Sequence, residues 1–290
     1  MCGIYGYIGE PKNVKKMYKL IKTLAVVSEV RGIDGAGFFA LYDEEVIMEK
    51  TNSRASTFII KSNYIKDAIV NKKATLYVGH NRMASMGSVD DVNNTHPIMG
   101  DELLLVHNGT CFQAKSMLKK IGLDNKMKGS VDSEAVLHLL EHYGINEDVF
   151  AHLNNYSLVI FNYTNGELFF VRDREKPMVI YDFRNTLGVR LFASTEAIIE
   201  ASLEYCKIKA EPLSCFHTKS YCIYEADPFT GEIENMGGFT YEVPEPEPET
   251  ETNYYINTSQ NEIGLNFGRR GYAAPNSSYS LGWSGGSFDD

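Results

Sequence analysis

The sequence predicts an α+β fold, with two antiparallel sheets packed face to face, helices covering both outer sides, and a disordered C-terminal tail. Three observations lead there. Strand-like segments come in hairpin-like runs, with helical segments grouped between the runs, which is not the strand–helix alternation of a doubly wound parallel sheet. The composition is that of a globular chain, 43% hydrophobic and 23% charged over 290 residues, enough to bury a core without disulfide staples. Near residue 241 this mixed pattern stops and a low-complexity segment begins.

Residues 2–8 (CGIYGYI) are a short apolar strand. Residues 12–30 carry Val14, Met17, Leu20, Ile21 and Leu24 at helical spacing. Two strands flank Asp43-Glu44 within 36–50, and a helix is expected over 57–71. LYVGHNR (76–82) and ELLLVHN (102–108) are strands that run into polar residues. The helix over 130–144 starts at Ser130 or Asp132, with Val136, Leu139 and Leu140 on one face. Three strands follow between 157 and 183, with a hairpin turn at 164–166. Residues 191–203 are a strand entering a helix, and the last strands, 213–224 and 231–236, flank Asp227-Pro228. Residues 1–241 form the folded domain, 242–252 (EVPEPEPETET) a stiff, self-repelling linker, and 253–290 a disordered tail.

The formal net charge of -10 argues against contact with nucleic acid, and no basic helix opposes that. No apolar run approaches the roughly 20 residues a membrane span needs, and no secretory leader is seen. The five cysteines have no CxxC spacing and read as free thiols in a reducing compartment. A cytoplasmic protein is expected. No metal or cofactor is called for: His80, His96 and His107 lack a zinc-like pattern with Cys or carboxylates, and the glycines of GIYGYIG do not make a phosphate fingerprint.

Cys2 is the first candidate for chemistry. A small second residue permits removal of Met1, which places a thiol and a free α-amine on one residue. An α-amine with a pKa of about 7.7–8.0 can serve as general base and then acid near neutral pH. By position alone Cys2 reads first as a small buried strand residue. Asn108 and Gly109 end a strand and offer a side-chain amide and a backbone N–H to an oxyanion, although Asn-Gly is also an ordinary turn. Arg82 could clamp a carboxylate bidentately. Asp132, at a helix start, could accept an ammonium or simply serve the helix end. A carboxylate clamp plus an ammonium acceptor would recognise a free amino acid. RGIDGAG (31–37) offers Arg31 and Asp34 in what is otherwise a tight turn.

In order along the chain, MCGIYGYIG, RGIDGAG, GHNRMASMG, NNTHPI, LLLVHNGT, VDSEAV and LFASTEAII resemble the glutaminase domain of class II glutamine amidotransferases, within the N-terminal nucleophile hydrolases. Order and spacing are most similar to the glutaminase half of glucosamine-6-phosphate synthases. The resemblance covers roughly residues 2–240 and implies a four-layer αββα sandwich. It implies Cys2 as nucleophile with its α-amine as base, Asn108 and Gly109 as oxyanion hole, and Arg31 as support for the N-terminus. It further implies that Arg82 and Asp132 hold the carboxylate and α-amine of glutamine, and that Ser85 and Met86 contact it. Met83, Ser85 and Met86 depart from the family's usual aromatic, Thr and His.

The function so implied is hydrolysis of L-glutamine through a Cys2 thioester, with ammonia passed to a synthase partner in trans. Two alternatives stay open: an amidohydrolase acting on another γ-glutamyl compound, and a non-catalytic regulatory subunit. Oligomeric state is left open, a homo-oligomer included.

Overall fold

In the computed structural model the described residues are 1–242. The linker and tail expected over 242–290 lie outside them except for Glu242. Thirteen strands form two sheets among these residues, every strand pair antiparallel. The first sheet comprises β1 (Gly3–Gly9), β2 (Gly35–Tyr42), β3 (Glu45–Thr51), β4 (Leu76–Arg82), β9 (Val179–Phe183), β10 (Val189–Ala193) and β11 (Ser214–His217), in the order β11-β9-β10-β1-β4-β2-β3. The second comprises β5 (Ile98–Met99), β6 (Leu103–Gly109), β7 (Tyr156–Asn162), β8 (Leu168–Arg172), β12 (Cys222–Ala226) and β13 (Ile233–Gly238), in the order β13-β12-β8-β7-β6-β5.

Three apolar clusters separate four layers, which is the expected αββα sandwich. β1 shows why. Its seven residues are all buried, and the period of two sends Ile4 and Ile8 to one face and Tyr5 and Tyr7 to the other. Ile4 and Ile8 meet Leu104, Val106 and Val159 of the second sheet. Full burial of such a side chain contributes about 1.5–3 kcal/mol. Tyr5 and Tyr7 pack with Met17, Leu20 and Leu24 of α1 (Val14–Val27), alongside α2 (Ala55–Lys61) and α7 (Glu196–Cys206). On the far side, Leu103, Leu105 and Leu158 pack under α4 (Phe112–Lys120), α5 (Asp132–Tyr143) and α6 (Glu147–Ala151).

Several expectations are corrected in detail. The helix over 57–71 is broken: α2 ends at Lys61, Ser62 is extended with its hydroxyl on the Glu49 carboxylate, and the chain resumes as α3 (Tyr64–Lys66) and a π-turn, Asp67–Asn71. A serine that bonds elsewhere competes with the helix backbone. The strand expected over 213–224 is two strands in different sheets, β11 and β12, parted by a turn in which Tyr221 has φ 57°. Helices α4 and α6 were not anticipated. The helix beginning near 130 starts at Asp132, whose carboxylate accepts the backbone N–H of Cys111 at 2.6 Å and does not cap its own helix.

Candidate active site

Three chain segments meet at one end of the sandwich. β1 and β4 run antiparallel with Gly3 opposite Asn81, so Cys2, just before β1, lies beside the residues that follow β4. β6 of the other sheet ends at Asn108-Gly109 on the same end. His80 of β4 ties the sheets together there through its Nε2, 3.1 Å from the carbonyl of His107.

Cys2, Asn108, Gly109 and Ser85 line one cleft of about 180 Å³, with Met1, Met83, Ala84, Thr110 and Lys176. The Cys2 thiol receives the N–H of Met83 at 3.4 Å. Burial pushes the thiol pKa up, against the lowering effects of the Met83 N–H, the N-terminal ammonium, Arg82 and Arg31. The thiol therefore rests protonated and needs a base. Arg31 donates from Nε to the Cys2 carbonyl at 2.7 Å, which holds the backbone of the nucleophile and not its sulfur.

Neither Nδ2 nor Oδ1 of Asn108 has a hydrogen-bond partner among the described residues, and both are buried. An orphaned buried amide is costly, which is the signature of a donor kept ready for a transient acceptor. Gly109 has φ 153°, and a Cβ there would fall 1.8 Å from the Asn155 carbonyl oxygen. Only glycine lets β6 close against that loop.

Arg82, Asp132 and Met86 are not among the residues that line this cleft, although Arg82 is close enough to act electrostatically on the Cys2 thiol. The Arg82 guanidinium is buried and donates to the carbonyls of Met86, Gly87 and Ser88 at 2.9–3.1 Å, fixing the loop 83–88. Asp34, whose backbone N–H bonds the Arg82 carbonyl, anchors the same loop by accepting the Ala84 N–H at 2.8 Å. Ser85 bridges the two walls through its hydroxyl, 3.1 Å from that of Thr110. Thr110 and Lys176 were not anticipated as lining residues. Thr110 directly follows the Asn-Gly pair, whereas Lys176 sits in a turn with no periodic or motif signal of its own.

The fold also brings His107 toward a cysteine and a carboxylate, a pairing absent from the sequence spacing. Ligand-capable atoms of His107, Cys111 and Asp132 lie within 4.8 Å of one another. Each is already engaged: Cys111 Sγ donates to the Asn154 carbonyl at 2.9 Å, Asp132 accepts the Cys111 N–H, and His107 Nδ1 is 2.9 Å from Ser133 Oγ. His107 also ends a buried row with His96 and His80, tilted and edge-on to one another, with ring centroids 4.3 Å (His80–His96) and 6.4 Å (His96–His107) apart. Burial holds all three neutral, His80 pushed down to about 3.

Two antiparallel sheets between helical layers, with a cysteine leading the central strand, define the class II amidotransferase form of the N-terminal nucleophile fold. This chain belongs to the glutamine amidotransferase domain family, whose model matches residues 66–255. That stretch holds Arg82, Asn108, Gly109 and Asp132; Cys2 and Arg31 precede it. Among curated proteins the chain is 28% identical over 193 residues to a glutamine–fructose-6-phosphate aminotransferase (isomerizing) of Pyrococcus horikoshii, covering 62% of this chain and 30% of that protein. It is 23% identical over 254 residues to the namesake of Bacillus licheniformis, covering 84% and 40%. The chain thus spans well under half the length of these relatives. Among solved structures, the glutamine phosphoribosylpyrophosphate amidotransferase of Bacillus subtilis shares the fold, with a TM-score of 0.58 and 18% identity over 83% of this chain and 50% of that one. Among the described residues, no helix is long and apolar enough to cross a membrane.

Proposed function

We propose that this chain hydrolyses L-glutamine to glutamate and ammonia, with Cys2 as nucleophile once Met1 is removed. The observation that carries this is the convergence of the Cys2 thiol, the unpartnered Asn108 amide and Gly109 on one cleft. The α-amine of Cys2 takes the thiol proton, and sulfur attacks the side-chain amide carbon of glutamine. The oxyanion forms against Asn108 and Gly109. The C–N bond breaks as the protonated α-amine gives its proton to the leaving ammonia. Water then cleaves the γ-glutamyl thioester and restores the thiol. Arg31 acts as a positioning residue through the Cys2 carbonyl. Arg82 and Ser85 shape the cleft wall, Arg82 through the backbone of Met86, and Asp132 supports the Cys111 end. For Arg82 or Asp132 to meet glutamine directly, the loop carbonyls or the Cys111 N–H must first be released. The ammonia passes to a synthase partner in trans that supplies the acceptor, and the enzyme works in the cytoplasm.

The test is glutaminase turnover together with intact mass before and after diazo-oxo-norleucine. Loss of Met1, one adduct on Cys2 and no turnover in Cys2→Ala are expected. Turnover that persists in Cys2→Ala would sink the proposal.

A further inference from the structure

Asn94 ends a buried 3-10 turn, Val92–Asn94, and takes no part in the chemistry described above. Its mount is rigid. Asp91 caps the turn by accepting the Asn93 N–H at 2.9 Å. Just beyond the turn, Lys50 of β3 donates from Nζ to the carbonyls of Thr95 and Pro97 at 2.9 and 3.2 Å, and the Thr95 hydroxyl donates to Asn52 Oδ1 at 3.2 Å. From that mount the Asn94 amide reaches in two directions. Nδ2 donates to the Ser88 carbonyl at 3.1 Å, the same oxygen that accepts from Arg82 Nη1. Oδ1 accepts the Ser130 N–H at 2.7 Å. Two glycines let the backbones close on the amide: a Cβ would fall 2.7 Å from Nδ2 at Gly87 and 2.6 Å from Oδ1 at Gly129. The Glu134 carboxylate fixes the second segment from its other side, accepting the N–H groups of Lys128 and Gly129 at 2.6 and 2.8 Å and tying them to the first turn of α5, which opens with Asp132. One amide thus joins the loop that Arg82 holds to the segment that delivers Asp132. Arg82 and Asp132 are a buried cation and a buried anion, the pair of charges suited to the carboxylate and the ammonium of a free amino acid.

We propose that Asn94 is a positioning residue that fixes these two segments relative to each other and thereby sets the preference for the L-enantiomer of the amino-acid substrate. This rests on the glutaminase reading above. A site reads handedness through three fixed points, here the side-chain amide at Cys2 and the two charged ends. Freeing one of them lets the mirror image fit nearly as well.

The test compares binding of L-glutamine and D-glutamine by titration calorimetry, in the full chain carrying Cys2→Ala, which stops turnover. Asn94→Ala and Asn94→Asp are then added in turn. Asn94→Asp keeps the shape of the side chain and the acceptor for Ser130, and removes only the donor to Ser88. With Asn94 in place, the L-form should bind at least about tenfold tighter than the D-form, the worth of one charge-assisted hydrogen bond. Either Asn94 change should weaken L-glutamine about tenfold and cut the L-over-D ratio to about threefold or less. A ratio that stays the same in both variants, including one in which the two enantiomers weaken equally, would overturn the assignment, as would loss of the fold in both by circular dichroism. Turnover in the chain with Cys2 intact would leave the glutaminase reading standing in those cases. A ratio that collapses as expected in a chain without Cys2-dependent turnover would overturn the glutaminase reading alone. Absence of glutamine binding to the Cys2→Ala chain would overturn both.

Discussion

The Nε of Arg31 donates to the carbonyl oxygen of Cys2 at 2.7 Å, tying the end of the first helical segment to the residue that precedes β1. The bond fixes where the thiol and the α-amine point, without touching either. Arg31→Ala should therefore leave the fold intact and lower kcat/KM about 100-fold, the scale of a 1 Å misplacement. Arg31→Lys should recover part of it. Kinetics with a parallel circular dichroism melt check this; full activity in Arg31→Ala would contradict it.

Asn108→Ala separates catalysis from stability. Loss of one oxyanion donor should cut kcat about 10²–10³-fold. Its amide makes no hydrogen bond among the described residues, so removing it relieves a buried unsatisfied group. The melting temperature should stay at or above that of the parent. A large drop would show that the amide is structural.

Gly109→Ala should behave in the opposite way. The added Cβ meets the Asn155 carbonyl and the His107 ring, and the backbone sits at φ 153°. A destabilisation of about 2–4 kcal/mol is expected from steric overlap and backbone strain together. Urea unfolding measures it.

The buried histidine row sets an acid limit. Each of His80, His96 and His107 has a folded-state pKa below its unfolded value of about 6.5. Below pH 6.5 the unfolded chain binds protons that the folded one refuses, so stability falls as pH drops. For His80 the loss runs from about pH 6.5 toward 3 at about 1.4 kcal/mol per pH unit. Denaturant titrations at pH 7, 6 and 5 should show stability falling with pH, and His80→Phe should remove the His80 share of that fall and leave the part due to His96 and His107. A pH-independent stability over that window would contradict the assignment.

Retention of Met1 should silence the enzyme. Met1 itself lies on the cleft lining, and its peptide bond would convert the base at Cys2 into an amide. Protein made under inhibition of methionine aminopeptidase should show neither turnover nor a diazo-oxo-norleucine adduct.

Most of the architecture was legible in the chain because periodicity reports burial. Ile4 and Ile8 alternate with Tyr5 and Tyr7, and Leu20, Ile21 and Leu24 repeat with the helical turn; solvent exclusion leaves few other arrangements. The break at Ser62 was not legible, because the partner that draws its hydroxyl away, Glu49, is distant in sequence. Nor was the division of 213–224 between two sheets, which depends on which neighbouring strand each half meets.

From the sequence alone came strand and helix segments that fit two packed sheets, a resemblance that implies the four-layer sandwich, and Cys2, Asn108 and Gly109 as chemically apt residues at strand ends. Strand ends are local events, set by side-chain pattern and turn chemistry. Only the tertiary structure decided which of the candidates share a cleft. It gave the buried Arg82 guanidinium and Asp132 carboxylate backbone partners, the 86–88 carbonyls and the Cys111 N–H, because buried charges need hydrogen-bond partners. It brought Lys176, 174 positions from Cys2 in the chain, to the same cleft through the Asp173-capped turn. That proximity depends on β8 and β9 lying in different sheets, joined by the turn that carries Lys176, and no local pattern encodes it.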